Sequence, residues 1–311
     1  MPSLIARFAS NMFWLGRYME RAECLARIID TNETYSRDDG EGPDWARVLN
    51  LYADQERFRK KYRKADEVSV LSFYMLDRDN TMSMLSNLQA ARQNARSVRH
   101  LISTEMWTHL NTFYNRMARM TPRDIGSSNL SQSCNEVKIG CQTFEGIAEG
   151  TFFRGEAWCF NQLGKYVERA DQTTRILDMG YDFIADEQGQ AMRAVHWKVL
   201  LRSVSGYHAY RSRHPAISKP QDVATFLLYD ESFPRAVALC VNQITRQTRA
   251  LESRYDLRPR SAVEDARRAL EFLLETGLGQ SITRRRLHVF LDELQKSIGG
   301  VSDALSRTYF G

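Results

Sequence analysis

Apolar residues recur at intervals of three and four along almost the whole chain, and strict alternation is rare. This periodicity predicts helices joined by short polar stretches. The first helix runs from about Ser3 or Ser10 to the mid-thirties and stops at the polar segment Ser36 to Pro43. Asp44 is placed to cap a helix opening at Trp45, which leads into the basic stretch Arg57 to Lys64. A short apolar helix over Val68 to Asp77 ends in a turn at Arg78 to Asn80. A long amphipathic stretch follows from Met82 to about Ile102, then a helix from Thr104 with Ser103 as its cap. Thr121 to Asn129 has the composition of a loop. A helix from about Ser131 to Thr151 opens the second part of the chain, whose last helices span roughly Ala262 to Glu275 and Ser281 to Arg307, with a break at Gly277 to Gly279. The expected fold is all-α, an internally duplicated multi-helix bundle with pseudo-two-fold halves.

The duplication is read from one segment that occurs twice. Leu15-Gly-Arg-Tyr-Met-Glu-Arg-Ala-Glu-Cys-Leu-Ala-Arg-Ile-Ile-Asp30 returns as Leu163-Gly-Lys-Tyr-Val-Glu-Arg-Ala-Asp-Gln-Thr-Thr-Arg-Ile-Leu-Asp178. The order after it also repeats. Trp197-Lys-Val-Leu-Leu echoes Trp45-Ala-Arg-Val-Leu, the segment Val223 to Asp230 echoes Val70 to Asp77, and Arg249 falls where Arg96 does. Copies about half a chain apart imply two related units, here a single domain over residues 1–311 with repeat halves at 1–130 and 131–311.

On a helix, residues three and four apart share a face. Leu15, Tyr18, Met19, Ala22, Leu25, Ala26 and Ile29 make one apolar face, with Arg17, Glu20, Arg21, Cys24 and Arg27 along the other side. Leu163, Tyr166, Val167, Ala170 and Leu177 stand likewise against Lys165, Glu168, Arg169, Gln172 and Arg175. Gly16 and Gly164 occupy the same place inside the helix, where glycine costs about 1 kcal/mol against alanine, so a close approach of backbone or ligand is expected there. Arg17 and Arg21 are like charges one turn apart, with Glu20 beside both; Lys165, Arg169 and Glu168 repeat the cluster. Three roles are open to it: a helix-to-helix salt-bridge network, an anion or substrate site, or a partner-docking surface. The candidate residues are Arg17, Glu20, Arg21, Arg27, Lys165, Glu168, Arg169 and Arg175. An isologous origin of the halves leads to the expectation that the two signature helices pair, Glu20 towards Arg169 and Glu168 towards Arg21. A charge-reversal cycle of Glu20→Arg with Arg169→Glu tests that pairing.

Composition narrows the class. A chain of 311 residues with 43% hydrophobic and 26% charged residues is that of a soluble globular protein, and seven prolines and 17 glycines favour long helices. No apolar run approaches a membrane span, and the first residues lack the pattern of a signal peptide. Five cysteines without a Cys-x-x-Cys pair fit reduced thiols in a cytoplasm. The net charge of +5 is compatible with an acidic ligand without demanding nucleic acid.

The segments Arg7 to Glu23 and Gly155 to Asp171, with their doubled Glu-Arg, resemble the bacterial alpha-E family, and the resemblance spans nearly the whole chain, including Phe226 to Asp230. Family members often continue that last segment with Asn-Pro-Arg-Ser. Here it reads Asn80-Thr-Met-Ser83 and Ser232-Phe-Pro-Arg235, which leaves a role for the turn in doubt in the first half. The resemblance implies a setting: such proteins are typically encoded beside, or fused to, a circularly permuted ATP-grasp-type ligase, often with a transglutaminase-like protein. It implies an accessory or interaction component of an amide or peptide ligation system. The alternative is an enzyme or carrier that binds an anionic, peptide-like substrate at the paired Glu-Arg helices.

Other chemistry has weak support. The six histidines (His100, His109, His196, His208, His214, His288) form no close metal pattern. No P-loop or Gly-x-Ser-x-Gly elbow occurs. Arg57 to Lys64 and Arg284-Arg-Arg286 read as solvated faces. Trp14, Phe152, Phe153 and Trp158 are expected to fill the core around the repeated helix. No cofactor, metal, membrane or specific nucleic acid is expected.

Overall fold

The computed structural model describes residues 6–39, 44–126, 128–185, 190–214, 220–255, 261–277 and 283–310. The end of the first polar stop (residues 40–43), the later part of the break after Gly277, and the side chains of His196 and Arg284 lie outside the described residues. The described secondary structure is helical, without strands, and no described helix is long and apolar enough to cross a membrane. The chain forms two compact units, one of Trp14–Arg154 and one of Met1–Phe13 with Gly155–Gly311.

The first unit takes its signature from helix α1 (Ala6–Asp39), which enters it at Trp14. Then come α2 (Trp45–Leu51), α3 (Gln55–Arg59), α4 (Glu67–Leu71), a π-helical turn (Ser72–Leu76), α5 (Met84–Ser97), α6 (Thr104–Met117) and α7 (Leu130–Thr151). Local chemistry sets the starts. Asp44 accepts a hydrogen bond from Ala46 N at 3.1 Å, Ser83 from Ser86 N and Ser103 from Met106 N, each also at 3.1 Å. These acceptors meet amide groups that a helix start leaves without partners. Leu15, Ala22 and Leu25 of α1, Leu88 and Ala91 of α5 and Leu110 of α6 are among the buried core residues. Burial of such side chains is the main driving force for the packing. At α3, Phe58 meets Phe73 edge-on at 5.3 Å, and the buried Tyr74 donates its hydroxyl to Asp54 at 3.1 Å.

The second unit is also built of helices. Helix α8 (Glu156–Ala185) is followed by α9 (Gln190–Ser203), α10 (Tyr207–Arg213), α11 (Pro220–Tyr229), α12 (Val237–Tyr255), α13 (Ser261–Thr276), α14 (Arg284–Leu305) and a π-helical turn (Ser306–Phe310). Helix α8 packs against α9, α11, α12 and α14. The terminal turn returns to its start: Phe160 meets Tyr309 and Phe310 at 5.4 and 5.9 Å, and Phe310 lies 5.3 Å from Phe13.

One detail of helix termination matches between the units. Helix α2 ends where Asp54 N reaches back to Leu49 O (3.0 Å), with Ala53 at φ +51°; α9 ends where Gly206 N reaches Leu201 O (2.6 Å), with Ser205 at φ +57°. This is a Schellman closure made with non-glycine residues in the left-handed region. The long helices also approach closely at glycines the sequence reading did not single out. A Cβ on Gly140 would lie 2.5 Å from the Phe113 ring, and one on Gly180 would lie 2.3 Å from Leu200 Cδ1.

Candidate functional site

The two signature helices are buried on nearly every side, so their charged side chains are not a solvent-facing stripe. Glu20 and Glu23 are 4% and 6% exposed, and Glu168 is wholly buried. A buried carboxylate must find donors or lose much of its solvation free energy. Part of the supply comes from one turn along the same helix, in the same register in both units. Cys24 Sγ donates to Glu20 at 3.4 Å, and Gln172 Nε2 donates to Glu168 at 3.0 Å. Arg27 places Nε and Nη2 at 2.9 and 2.6 Å from Glu23 Oε1, while Arg175 Nε lies 2.8 Å from Asp171 Oδ2.

The remaining cations lie over aromatic rings. The Arg17 guanidinium is 5.1 Å from the Trp14 ring centre, and that of Arg21 is 5.9 Å from Tyr18. Lys165 and Arg169 lie 4.8 and 5.7 Å from Tyr166. Each stack adds a cation–π attraction of about 0.5–2 kcal/mol. Arg17, Glu20, Arg21 and Arg27 are thus gathered along α1 in the first unit, and Lys165, Glu168, Arg169 and Arg175 along α8 in the second.

In the second unit the motif also holds a neighbouring element. Arg169 Nη1 reaches Pro234 O at 3.5 Å, and Thr173, one turn further, donates to Arg235 O at 2.9 Å. Both carbonyls belong to the turn that starts α12. The same turn is closed from its other end by Asp230, which accepts from Ser232 N and Phe233 N at 2.8 and 2.9 Å and pairs with Arg213. The corresponding turn of the first unit, whose role the departure from the family pattern left in doubt, is held by its own side chains. Asp77 accepts from Asp79 N at 3.0 Å and from Lys61 at 2.8 Å. Asn80 donates to Phe73 O at 2.8 Å and accepts from Met82 N and Arg57 at 3.0 and 3.2 Å. Arg57 and Lys61, four residues apart, therefore clamp this turn while staying exposed like Arg59, Lys60, Arg63 and Lys64 of the same basic stretch.

All five cysteines are buried thiols outside any disulfide. Burial pushes the Cys141 thiol well above its ordinary value of 9.0, with Glu23 and Glu20 adding to the effect. Burial and then Asp30 push Cys134 in the same direction. Thiols held protonated at neutral pH are poor nucleophiles. The expectation for the aromatics needs one correction. Phe152 and Trp158 are buried and Trp14 is half-buried, but Phe153 is 83% exposed. Helix α7 ends at Thr151, and Phe152 turns inward in extended backbone (ψ 124°), which directs the next side chain outward.

Comparison with known proteins adds a family. Residues 4–310 match the model of the Alpha-E family, described as a predicted alpha-helical domain with a conserved ER motif. Uncharacterized proteins of Mycobacterium bovis and of two Mycobacterium tuberculosis strains are 24% identical to the chain over 97% of its length. The chain spans about a third (36%) of the length of these relatives. No solved structure matches it significantly. With the Glu-Arg pair in both signature helices and a match over nearly its whole length, the chain belongs to the Alpha-E family.

Proposed function

We propose that the protein is an accessory, docking component of an ATP-grasp-associated amide or peptide ligation system, with the ligase and a transglutaminase-like protein as partners. The observation that carries this reading is the commitment of the signature side chains to the fold. Glu20 and Glu168 are buried, Arg27 and Arg175 are bound to acidic groups of their own helices, and Arg169 reaches a backbone carbonyl of the turn before α12. A motif spent on architecture leaves function to the surface. The length of the mycobacterial relatives supports the same reading, because in them this fold is one part of a longer chain. The matched pairs Arg27–Glu23 and Arg175–Asp171, with the matched helix ends at Ala53 and Ser205, support an origin of the two units by duplication. Five buried thiols outside any disulfide support a reducing, cytoplasmic setting. Co-purification with an ATP-grasp-type ligase, the proposed partner, tests the proposal: a stable complex is expected, and its absence at micromolar concentrations of both folded proteins contradicts it.

One observation favours the enzyme-or-carrier alternative. Arg17, Arg21 and Arg169 are half-buried guanidinium groups stacked on aromatic rings, a setting in which arginine also binds carboxylate or phosphate. Titration with inorganic phosphate and with an acidic peptide distinguishes the two readings. Saturable binding that Arg21→Ala or Arg169→Ala removes supports the carrier, and its absence supports docking.

A further inference from the structure

The last residue of each signature copy reaches the final long helix of its own unit, and the two units finish this contact with different chemistry. In the first, Asp30 Oδ2 meets Lys138 Nζ of α7 at 2.7 Å, both side chains about one-fifth exposed. One turn on, Gln142 donates to Glu23. In the second, Asp178 Oδ1 meets His288 Nδ1 of α14 at 2.8 Å, and one turn on stands Asp292, whose Oδ2 is 3.9 Å from His288 Nε2. An ammonium and a carboxamide are thus exchanged for an imidazole and a second carboxylate. Lys138 satisfies Asp30 with a permanent charge and has no lone pair to offer a metal. His288 and Asp292 both have one.

The geometry suits an ion. One donor atom from each of Asp178, His288 and Asp292 lies within 4.8 Å of the others. His288 and Asp292 are i,i+4 on α14 and so share a face. With its Nδ1–H donated to Asp178, the ring directs the Nε2 lone pair towards Asp292. This carboxylate–histidine arrangement fixes tautomer and ring orientation at metal-bound histidines. Side-chain exposures of 56% for His288 and 47% for Asp292 leave room for the ion and its waters.

We propose that His288 Nε2 and the Asp292 carboxylate bind a divalent transition-metal ion of the Zn2+ class, that Asp178 orients the imidazole, and that water completes the coordination. With Zn–N and Zn–O bonds of about 2.0–2.2 Å in tetrahedral geometry, the two donors must close by about half an ångström from 3.9 Å. A nitrogen donor beside a carboxylate selects this class over Ca2+ or Mg2+, which take oxygen sets. The bound ion tightens the contact between the second signature helix and α14, a site independent of the docking proposal.

Calorimetric titration of the metal-free, full-length protein with Zn2+ tests this, with Co2+ as a spectroscopic probe. One saturable equivalent is expected. His288→Ala and Asp292→Asn should each abolish it, whereas Asp178→Asn should keep the stoichiometry and weaken affinity about 10–100-fold. The buried thiols should contribute no thiolate charge-transfer band to the Co2+ spectrum. Circular dichroism melts of the variants verify folding, and His288→Gln is a second route should His288→Ala fail to fold. Failure of the wild-type protein to bind Zn2+ below millimolar concentration overturns the proposal. So does unchanged binding in a folded His288 variant, or a Co2+ spectrum of thiolate character.

Discussion

At the scale of single residues, Gly140 and Glu168 show how little freedom the interior leaves. A methyl group at Gly140 would overlap the Phe113 ring at 2.5 Å. Gly140→Ala is expected to cost about 1–3 kcal/mol of stability, and Phe113→Leu in the same chain should cost less than the sum of the two single changes. Urea denaturation of the four species measures this. Glu168 is wholly buried and accepts from Gln172. Glu168→Ala leaves that amide without its acceptor and should destabilise on the order of 2 kcal/mol. Glu168→Gln keeps an acceptor oxygen and should cost less if the bond to Gln172 is the main term. An alanine variant as stable as wild type in the same assay would show that the motif carboxylate does not hold the fold. The Glu-Arg spacing made these residues visible in the sequence. Their burial was not visible, because a helix surrounded by other helices has no solvent side to betray which of its polar groups are enclosed. The Asp178–His288 contact was hidden for a related reason: its two halves lie on helices far apart in sequence, and only the His288–Asp292 spacing is local.

At the scale of elements, periodicity and caps located the helices well because both signals are local. Asp44 and Ser103 cap as their positions predict, and α7 spans Leu130–Thr151 against an expected start near Ser131. The long stretch expected from Met82 to Ile102 ends as α5 at Ser97, followed by a hydrogen-bonded turn from Val98 to Leu101. The π-helical turn Ser72–Leu76 had no legible sign, since it is set by what closes on it: Asn80 holds Phe73 O, and Tyr74 bonds Asp54. The end of α2 gives a prediction at this scale. Ala53 sits at φ +51°, where an L residue pays a steric penalty that glycine avoids. Ala53→Gly should therefore stabilise the fold by up to about 1 kcal/mol after the greater chain entropy of glycine is subtracted, and so raise the urea midpoint. A lower midpoint would mean that contacts of the methyl group outweigh the backbone strain.

At the scale of the whole molecule, buried thiols and phenols tie stability to pH. Burial raises the folded-state values of Cys141, Cys134 and Tyr74 above their ordinary values of 9.0, 9.0 and 10.0. The unfolded chain therefore loses these protons first as pH rises, and stability falls from about the ordinary thiol value upwards. Each such group contributes a slope of about 1.4 kcal/mol per pH unit until its folded value is reached. Urea midpoints measured at successive pH values above 9 should decline, and Cys141→Ala should decline less steeply. A flat profile would show that these groups ionise as easily folded as unfolded. The burial of Glu20 and Glu168 carries the larger claim that the Glu-Arg helices build the protein and its surface serves a partner. Isothermal titration of the protein into a circularly permuted ATP-grasp-type ligase, the proposed partner, tests that claim most directly. The account predicts saturable binding at micromolar concentrations or below, unaffected by added phosphate or acidic peptide. No detectable heat or complex with both proteins folded, together with phosphate binding that depends on Arg21 or Arg169, would contradict it.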